Sequence, residues 1–282
     1  MKLGSYISLT ELVRNMYRRD FTAVPPIKWY GGKHFMLKTI LRMIPRHKTY
    51  VEVFGGAAHL LFAKEPSMVE VYNDSNGDLV NLYRVLQNPE MFLKFFQKAA
   101  LTLDSREMFD EAVARLGVDD PVERAVAFYI TVRQSFNACM SKWSYEITSR
   151  RADYMNRVFV LPFIHMRLRH VQIEHGDFED VIKRYDTGET FMFVDPPYIA
   201  SQVVKGHPYE LMPDADHERL VDVLLGVKGK ALLTGYANPI YVRLEENGWY
   251  TMDVERTAAA RPAKGAGSRG SQMERIWWNY EL

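Results

Sequence analysis

Cysteine is almost absent: Cys139 is the single one in 282 residues. That excludes an internal disulfide framework and any multi-cysteine zinc site. Charge of one sign is not in excess either, since Lys and Arg number 36 against 35 Asp and Glu, for a formal charge of +1. A polyanion would have to be met by a local basic face rather than by the whole surface. No apolar run approaches the roughly 20 residues that cross a bilayer. The N-terminal MKLGSYISLTELVRNMYRRD lacks the apolar stretch of a signal peptide. These absences predict a cytoplasmic protein with no membrane partner. The eight histidines are scattered, with no His-x-x-x-His pattern, so no metal is expected and they read as solvated or capping. A full Gly-x-Gly-x-x-Gly and a Walker lysine are also missing, which weakens a phosphate-binding reading.

What is present is an ordinary globular composition, 47% hydrophobic and 25% charged, with enough length to bury a large core. Residues 1–25 form an extension in which Leu9, Leu12, Val13 and Met16 are spaced for one face of a short helix. Pro25-Pro26 forces extended backbone. Tyr50–Phe54 reads as a strand, Gly55-Gly56-Ala57-Ala58 as a small-residue turn, His59–Ala63 as the start of a helix, and Val69–Asp74 as a second strand ending in a carboxylate. This is the outline of a nucleotide-binding crossover. From Asp78 to about Arg169 the pattern is helical, over Leu79–Leu86, Met91–Leu103 and Pro121–Gln134. Strand-like runs return at Val171–Glu174, Phe191–Val194, Lys230–Leu233, Trp249–Val254 and Ile276–Tyr280. The expected fold is therefore α/β. A mostly parallel sheet comes from 26–79 and 169–282, with a helical domain, 80–168, inserted between them. Arg256–Ser271 reads as an aperiodic basic loop, and the methionines read mostly as core.

The chemistry concentrates in Phe191-Met192-Phe193-Val194-Asp195-Pro196-Pro197-Tyr198. A buried strand runs into a carboxylate, two prolines stiffen the exit, and an aromatic ring follows. Ligands bind at such strand ends in open α/β sheets. A carboxylate and a nearby backbone carbonyl accept the two N–H bonds of an exocyclic amine, which localises its lone pair and stabilises positive charge developing on nitrogen. A tyrosine stacks on the base. The glycine turn lets a cofactor approach the main chain. Asp74 lies where a carboxylate that bonds ribose hydroxyls is expected.

Lys28-Trp29-Tyr30-Gly31-Gly32-Lys33, Glu52-Val53-Phe54-Gly55-Gly56, Asn73-Asp74-Ser75-Asn76-Gly77-Asp78-Leu79 and Asp195-Pro196-Pro197-Tyr198 occur in that order. Together they resemble the Dam-type (D12 class) adenine-N6 DNA methyltransferases, from about Pro26 to the C-terminus. The resemblance implies a seven-stranded Rossmann-like methyltransferase sheet with an inserted helical target-recognition domain. It also implies S-adenosylmethionine as cofactor, double-stranded DNA as partner, and a base flipped out of the helix. By the same resemblance Trp29 and Lys33 lie beside the cofactor, Phe54 and Gly56 form its turn, Asp74 meets its ribose and Asp177 its adenine. Asp195, Pro196 and Tyr198 match the catalytic segment, and Lys28 matches a position that faces DNA. Arg133-Gln134-Ser135-Phe136-Asn137-Ala138 resembles a segment that touches bases, although Phe136 reads equally well as a core aromatic. Ser141, followed by Lys142, stands where GATC-reading relatives carry arginine, so the recognition sequence is not implied. Arg256, Arg261, Lys264 and Arg269 are either a solvated loop or a phosphate clamp. Cys139 reads as a packing residue. An RNA adenine or protein amide acceptor, a non-catalytic DNA-binding role and a restriction endonuclease partner stay open at this level.

Overall fold

The computed structural model describes residues 24–29, 33, 35–145, 153–199, 211–256 and 272–282. The expected N-terminal helix and the loop carrying Arg261, Lys264 and Arg269 lie outside the described residues, as do Tyr30 to Gly32 and the side chains of Asn137 and Arg256. The described chain runs α1 (Leu37–Met43), β1 (Thr49–Glu52), α2 (His59–Ala63), β2 (Val69–Asn73), α3 (Gly77–Gln87), α4 (Pro89–Leu101), α5 (Arg106–Ala114) and α6 (Pro121–Gln134). A 3-10 turn over Phe136–Ala138 follows, then α7 (Asp153–Val158), α8 (Leu161–Leu168), β3 (Val171–Glu174), α9 (Phe178–Tyr185) and β4 (Thr190–Val194). The rest is α10 (Asp214–Leu225), β5 (Lys230–Gly235), α11 (Val242–Glu246), β6 (Tyr250–Arg256) and β7 (Gln272–Trp278).

Local chemistry sets these boundaries. Asn76, Asn88, Ser105 and Asp120 each accept backbone N–H bonds at the start of α3, α4, α5 and α6. Pro89 and Pro121 occupy first-turn positions, where a missing N–H costs nothing. Strand β1 stops at Glu52 rather than Phe54, because Val53 and Phe54 already bend into the glycine turn.

The seven strands form one sheet in the order β3-β2-β1-β4-β5-β7-β6. Neighbours from β3 to β5 pair in parallel, and β7 runs antiparallel to both β5 and β6. Alternation sorts side chains onto two faces. Tyr50, Tyr72, Phe191, Phe193, Leu232, Ile276 and Trp278 join one core cluster. Val51, Val71, Met192, Val194, Leu233 and Trp277 join the other, with α9, α10 and α11. The helical block between β2 and β3 covers the first face, so Leu79, Phe95, Phe128, Tyr129 and Ile164 share its core with the sheet. Burying one such aromatic or aliphatic side chain contributes roughly 1.5–3 kcal/mol.

Two sequence expectations change, and a third has exceptions. His217 is buried rather than solvated: its Nδ1 lies 2.7 Å from the Tyr241 hydroxyl, and burial pushes the imidazole down to about 4. Met68, Met166 and Met273 are exposed, as exceptions to a methionine set that is otherwise mostly core: Met36, Met43, Met192 and Met212 are buried, and Met91, Met140 and Met252 pack against the core. Cys139 is only partly buried and lines the central crevice.

Candidate functional site

The chain turns in opposite directions after β1 and β4, and such a switch opens a crevice at the carboxyl ends of the strands. A cavity of about 520 Å³ lies there, lined by Glu52 and by residues from Phe54 to Ala57, Asn73 to Asn76, Gly176 to Phe178 and Asp195 to Tyr198. Its size falls within the roughly 300–1,000 Å³ usual for small-molecule sites. The Asn73 side chain ties three strand ends together. It donates to the Val53 carbonyl at 2.9 Å and accepts from the Gly176 amide at 2.9 Å.

The wall after β1 is the glycine turn. The Gly55 amide donates to the Asn73 carbonyl at 2.7 Å, and Gly56 has φ +49°. A Cβ on Gly55 would lie 2.1 Å from Cε2 of Tyr72, whose hydroxyl donates to the Gly56 carbonyl at 2.8 Å. A Cβ on Gly56 would approach Trp29 to 3.1 Å. Asp74 closes the turn from β2: its Oδ2 accepts from the Gly56 amide at 2.7 Å and its Oδ1 from the Asn76 amide at 2.8 Å. Ala58 holds a left-handed conformation, φ 57°, at the entry to α2. Such backbone is costly for a residue with a Cβ.

Below the turn, Glu52 is buried, and its Oε2 accepts from the Tyr50 hydroxyl at 2.8 Å and the Leu61 amide at 3.0 Å. Burial outweighs these bonds and pushes its carboxyl up to about 8.

Across the crevice, Asp195 leaves the end of β4. Its Oδ1 takes the Lys33 ammonium at 2.6 Å and the Thr234 hydroxyl at 2.8 Å. Lys33 also lies 3.6 Å from Oε2 of Glu274, on β7. Burial alone would push the Lys33 ammonium down, but the two carboxylates outweigh it and hold it above its ordinary value. The Tyr198 ring stacks on Tyr236 at 4.7 Å between centroids, and its hydroxyl donates to Glu274 at 3.3 Å. Burial, with Glu274 next in importance, pushes the Tyr198 phenol far above its ordinary value.

A family model, the D12 class N6 adenine-specific DNA methyltransferases, matches residues 29–244. The chain belongs to this family. It is a DNA adenine-N6 methyltransferase. It is 28% identical over 283 residues to the Type II methyltransferase M1.LlaDCHI of Lactococcus lactis subsp. cremoris, covering 91% of this chain and 95% of that one. It is 31% identical over 185 residues to the DNA N-6-adenine-methyltransferase of Escherichia phage P1, covering 61% of this chain but 23% of that one. The DNA adenine methylase of Escherichia coli (strain K12) is 29% identical over 120 residues, which is 39% of this chain and 41% of that one.

The methyltransferase holds its remaining sequence-marked residues in different settings. Asp177 caps α9 and lines the cavity, and both of its oxygens are taken by Arg219, at 2.7 and 2.8 Å. The Arg219 guanidinium holds the Asp177 carboxyl below its usual range. Lys28 is exposed. Phe136 is 60% exposed at the closing end of a short loop, not in the core. The Phe136 amide donates to the Lys142 carbonyl at 2.9 Å and the Ser144 amide to the Gln134 carbonyl at 2.9 Å, which brings Arg133, Phe136 and exposed Lys142 onto one short segment. Ala138, Cys139 and Met140, inside that loop, form part of the cavity wall. Among the described residues no group of three His, Cys, Asp or Glu is placed to hold a metal ion, and no helix is long and apolar enough to cross a membrane.

Several residues of the site carry no motif. Glu274 falls between the expected loop, which ends at Ser271, and the expected last strand, which begins at Ile276, so the sequence assigns it to no element. The usable signal is alternation: Glu274, Ile276 and Trp278 share one face of β7, so a carboxylate stands in phase with core positions. Tyr50 shows the same pattern in β1, in phase with Glu52 of the glycine-turn motif. Thr234, Tyr236 and Arg219 have no such marker.

Proposed function

We propose that this DNA adenine methyltransferase uses S-adenosylmethionine and acts on an adenine turned out of double-stranded DNA. The observation that carries the reading is that Asp195-Pro196-Pro197-Tyr198 and the glycine turn face one crevice. The residues fit the cofactor. The main chain at Gly55 and Gly56 and the Trp29 indole line the cavity together with the Asp74 and Asp177 carboxylates, a donor and acceptor set suited to a nucleoside. The cofactor, when bound, supplies a methyl group made electrophilic by a sulfonium. Trp29, Lys33, Phe54, Gly56, Asp74 and Asp177 would hold it.

At the acceptor end, the Asp195 carboxylate and the Pro196 carbonyl accept the two N–H bonds of the adenine amine. This concentrates the nitrogen lone pair and stabilises its growing positive charge. Tyr198, backed by Tyr236, presents a flat face to the flipped base. Lys28, Arg133, Phe136, Asn137, Lys142, Arg261, Lys264 and Arg269 are the DNA-facing set, with Phe136 as the wedge. Residues 80–168 supply target recognition. An intact acidic residue before the two prolines favours a DNA adenine acceptor over RNA or a protein amide.

The test pairs calorimetric binding of S-adenosylmethionine with single-turnover methylation of duplex DNA. Asp195→Ala should bind the cofactor normally and lose about 100-fold or more in rate. Asp74→Ala should instead weaken cofactor binding. Wild-type methylation by Asp195→Ala, or no cofactor binding by the wild type, would overturn the reading.

A further inference from the structure

Glu274 is completely buried, yet it carries a carboxylate beside the reacting segment. Burying a charged carboxylate is expensive unless it is paired. Its surroundings supply the pairing: Lys33 Nζ at 3.6 Å from Oε2, and the Tyr198 hydroxyl at 3.3 Å from Oε1. The same ammonium sits 2.6 Å from Asp195. The Lys33 ammonium is therefore shared by two carboxylates, Asp195 and Glu274.

This sharing matters for Asp195. A carboxylate that stabilises positive charge on an incoming amine does so less well when a lysine already neutralises it. Asp195 Oδ1 is occupied by Lys33 and Thr234, and Oδ2 accepts no hydrogen bond among the described residues. A second carboxylate behind Lys33 offsets the ammonium, so Asp195 keeps its negative character toward the acceptor. The antiparallel placement of β7 makes this possible. Its first residues lie at the same sheet edge as the end of β5, with Gly235 opposite Arg275.

We propose that Glu274 is a positioning residue for methyl transfer, holding the Lys33 ammonium between two carboxylates and fixing the Tyr198 ring, so that Asp195 keeps its negative character toward the acceptor amine. This rests on the assignment of Asp195 to the acceptor amine. No group outside the chain is needed, because Glu274 neither gives nor takes an atom in the reaction.

The experiment uses the full chain, S-adenosylmethionine and duplex DNA, with steady-state and single-turnover methylation. Glu274→Gln keeps shape and removes charge. It should lower kcat roughly 10-fold, less than the 10²–10³ of a direct transition-state contact, with KM for cofactor and for DNA close to wild type. Because Glu274 acts through Lys33, the same change in a Lys33→Met background should have little further effect. If Glu274→Gln does not fold, Glu274→Asp carries the test: it keeps the charge, draws it away from Lys33, and should give a smaller kcat loss at unchanged KM. A wild-type kcat in the folded variant overturns the proposal. So does a loss confined to KM, or an equal loss with and without Lys33. Asp195→Ala runs alongside. If it keeps wild-type turnover, the Asp195 assignment fails; if it is inactive while Glu274→Gln is normal, only the role of Glu274 fails.

Discussion

Replacing Gly55 by alanine should cost stability and cofactor affinity together. The new Cβ would stand 2.1 Å from Cε2 and 2.5 Å from Cζ of Tyr72. Carbon pairs rest at about 3.5–4.0 Å, so the ring or the turn must move by well over ~1 Å. The ring has little freedom. It is fully buried, its centroid lies 4.4 Å from that of buried Tyr83, and its hydroxyl holds the Gly56 carbonyl. Overpacking of this kind costs about 1–3 kcal/mol, and the lost hydrogen bond adds about 1 kcal/mol. At about 2–4 °C per kcal/mol for a chain of this size, Tm should fall by roughly 4–16 °C. Gly188→Ala is the control, since a Cβ there meets nothing within 4 Å. The assay is thermal unfolding with and without S-adenosylmethionine, plus calorimetric binding. Adding Tyr72→Leu to Gly55→Ala should recover part of the loss, because it removes the atoms in conflict. A Gly55→Ala protein that melts like Gly188→Ala and binds cofactor like wild type would refute the reasoning.

The other perturbations follow from the same geometry. Glu52 is pushed up to about 8 by burial, so the folded protein holds this proton more tightly than the unfolded chain does. Its contribution is complete below the ordinary value of 4.5 and is lost as pH rises toward about 8; Glu52→Gln should flatten that decline, and parallel Tm–pH curves for the two proteins would contradict it. Arg167 and Lys64 both pair with buried Glu70, which ties α8 and α2 to β2. Arg167→Met should destabilise by about 3 kcal/mol, read by denaturant unfolding, because a buried charge loses a partner; a loss under about 1 kcal/mol, the scale of a surface pair, would count against it. Neutralising Lys28 and Lys142 together should reduce the slope of log DNA affinity against log salt by roughly 2 units if both meet phosphate. Phe136→Ala should leave that slope unchanged while lowering methylation, and the opposite pattern would remove both from the DNA face.

The order of the motifs along the chain was legible, and so was the chemistry each suggests. Continuous apolar runs such as Phe191–Val194 declare buried strands, Pro121 declares a helix start, and Asp195-Pro196-Pro197-Tyr198 announces a carboxylate at a strand end. These are local properties of backbone sterics and burial, so neighbouring residues suffice to express them. The sequence alone also determined that the glycine turn needs residues without bulk, but not what presses on them. That was decided by Tyr72 and Trp29, which arrive from β2 and from the segment before α1. The tertiary structure also decided which groups surround Asp195. Lys33, Thr234 and Glu274 come from three separated segments, and Glu274 reaches the crevice because β7 inserts antiparallel between β5 and β6. Strand order and the shared burial of one cation by two carboxylates depend on contacts between residues more than two hundred positions apart in the chain, Lys33 and Glu274. No local pattern can encode such a pair, because its energy exists only once the sheet has closed and excluded water from both charges.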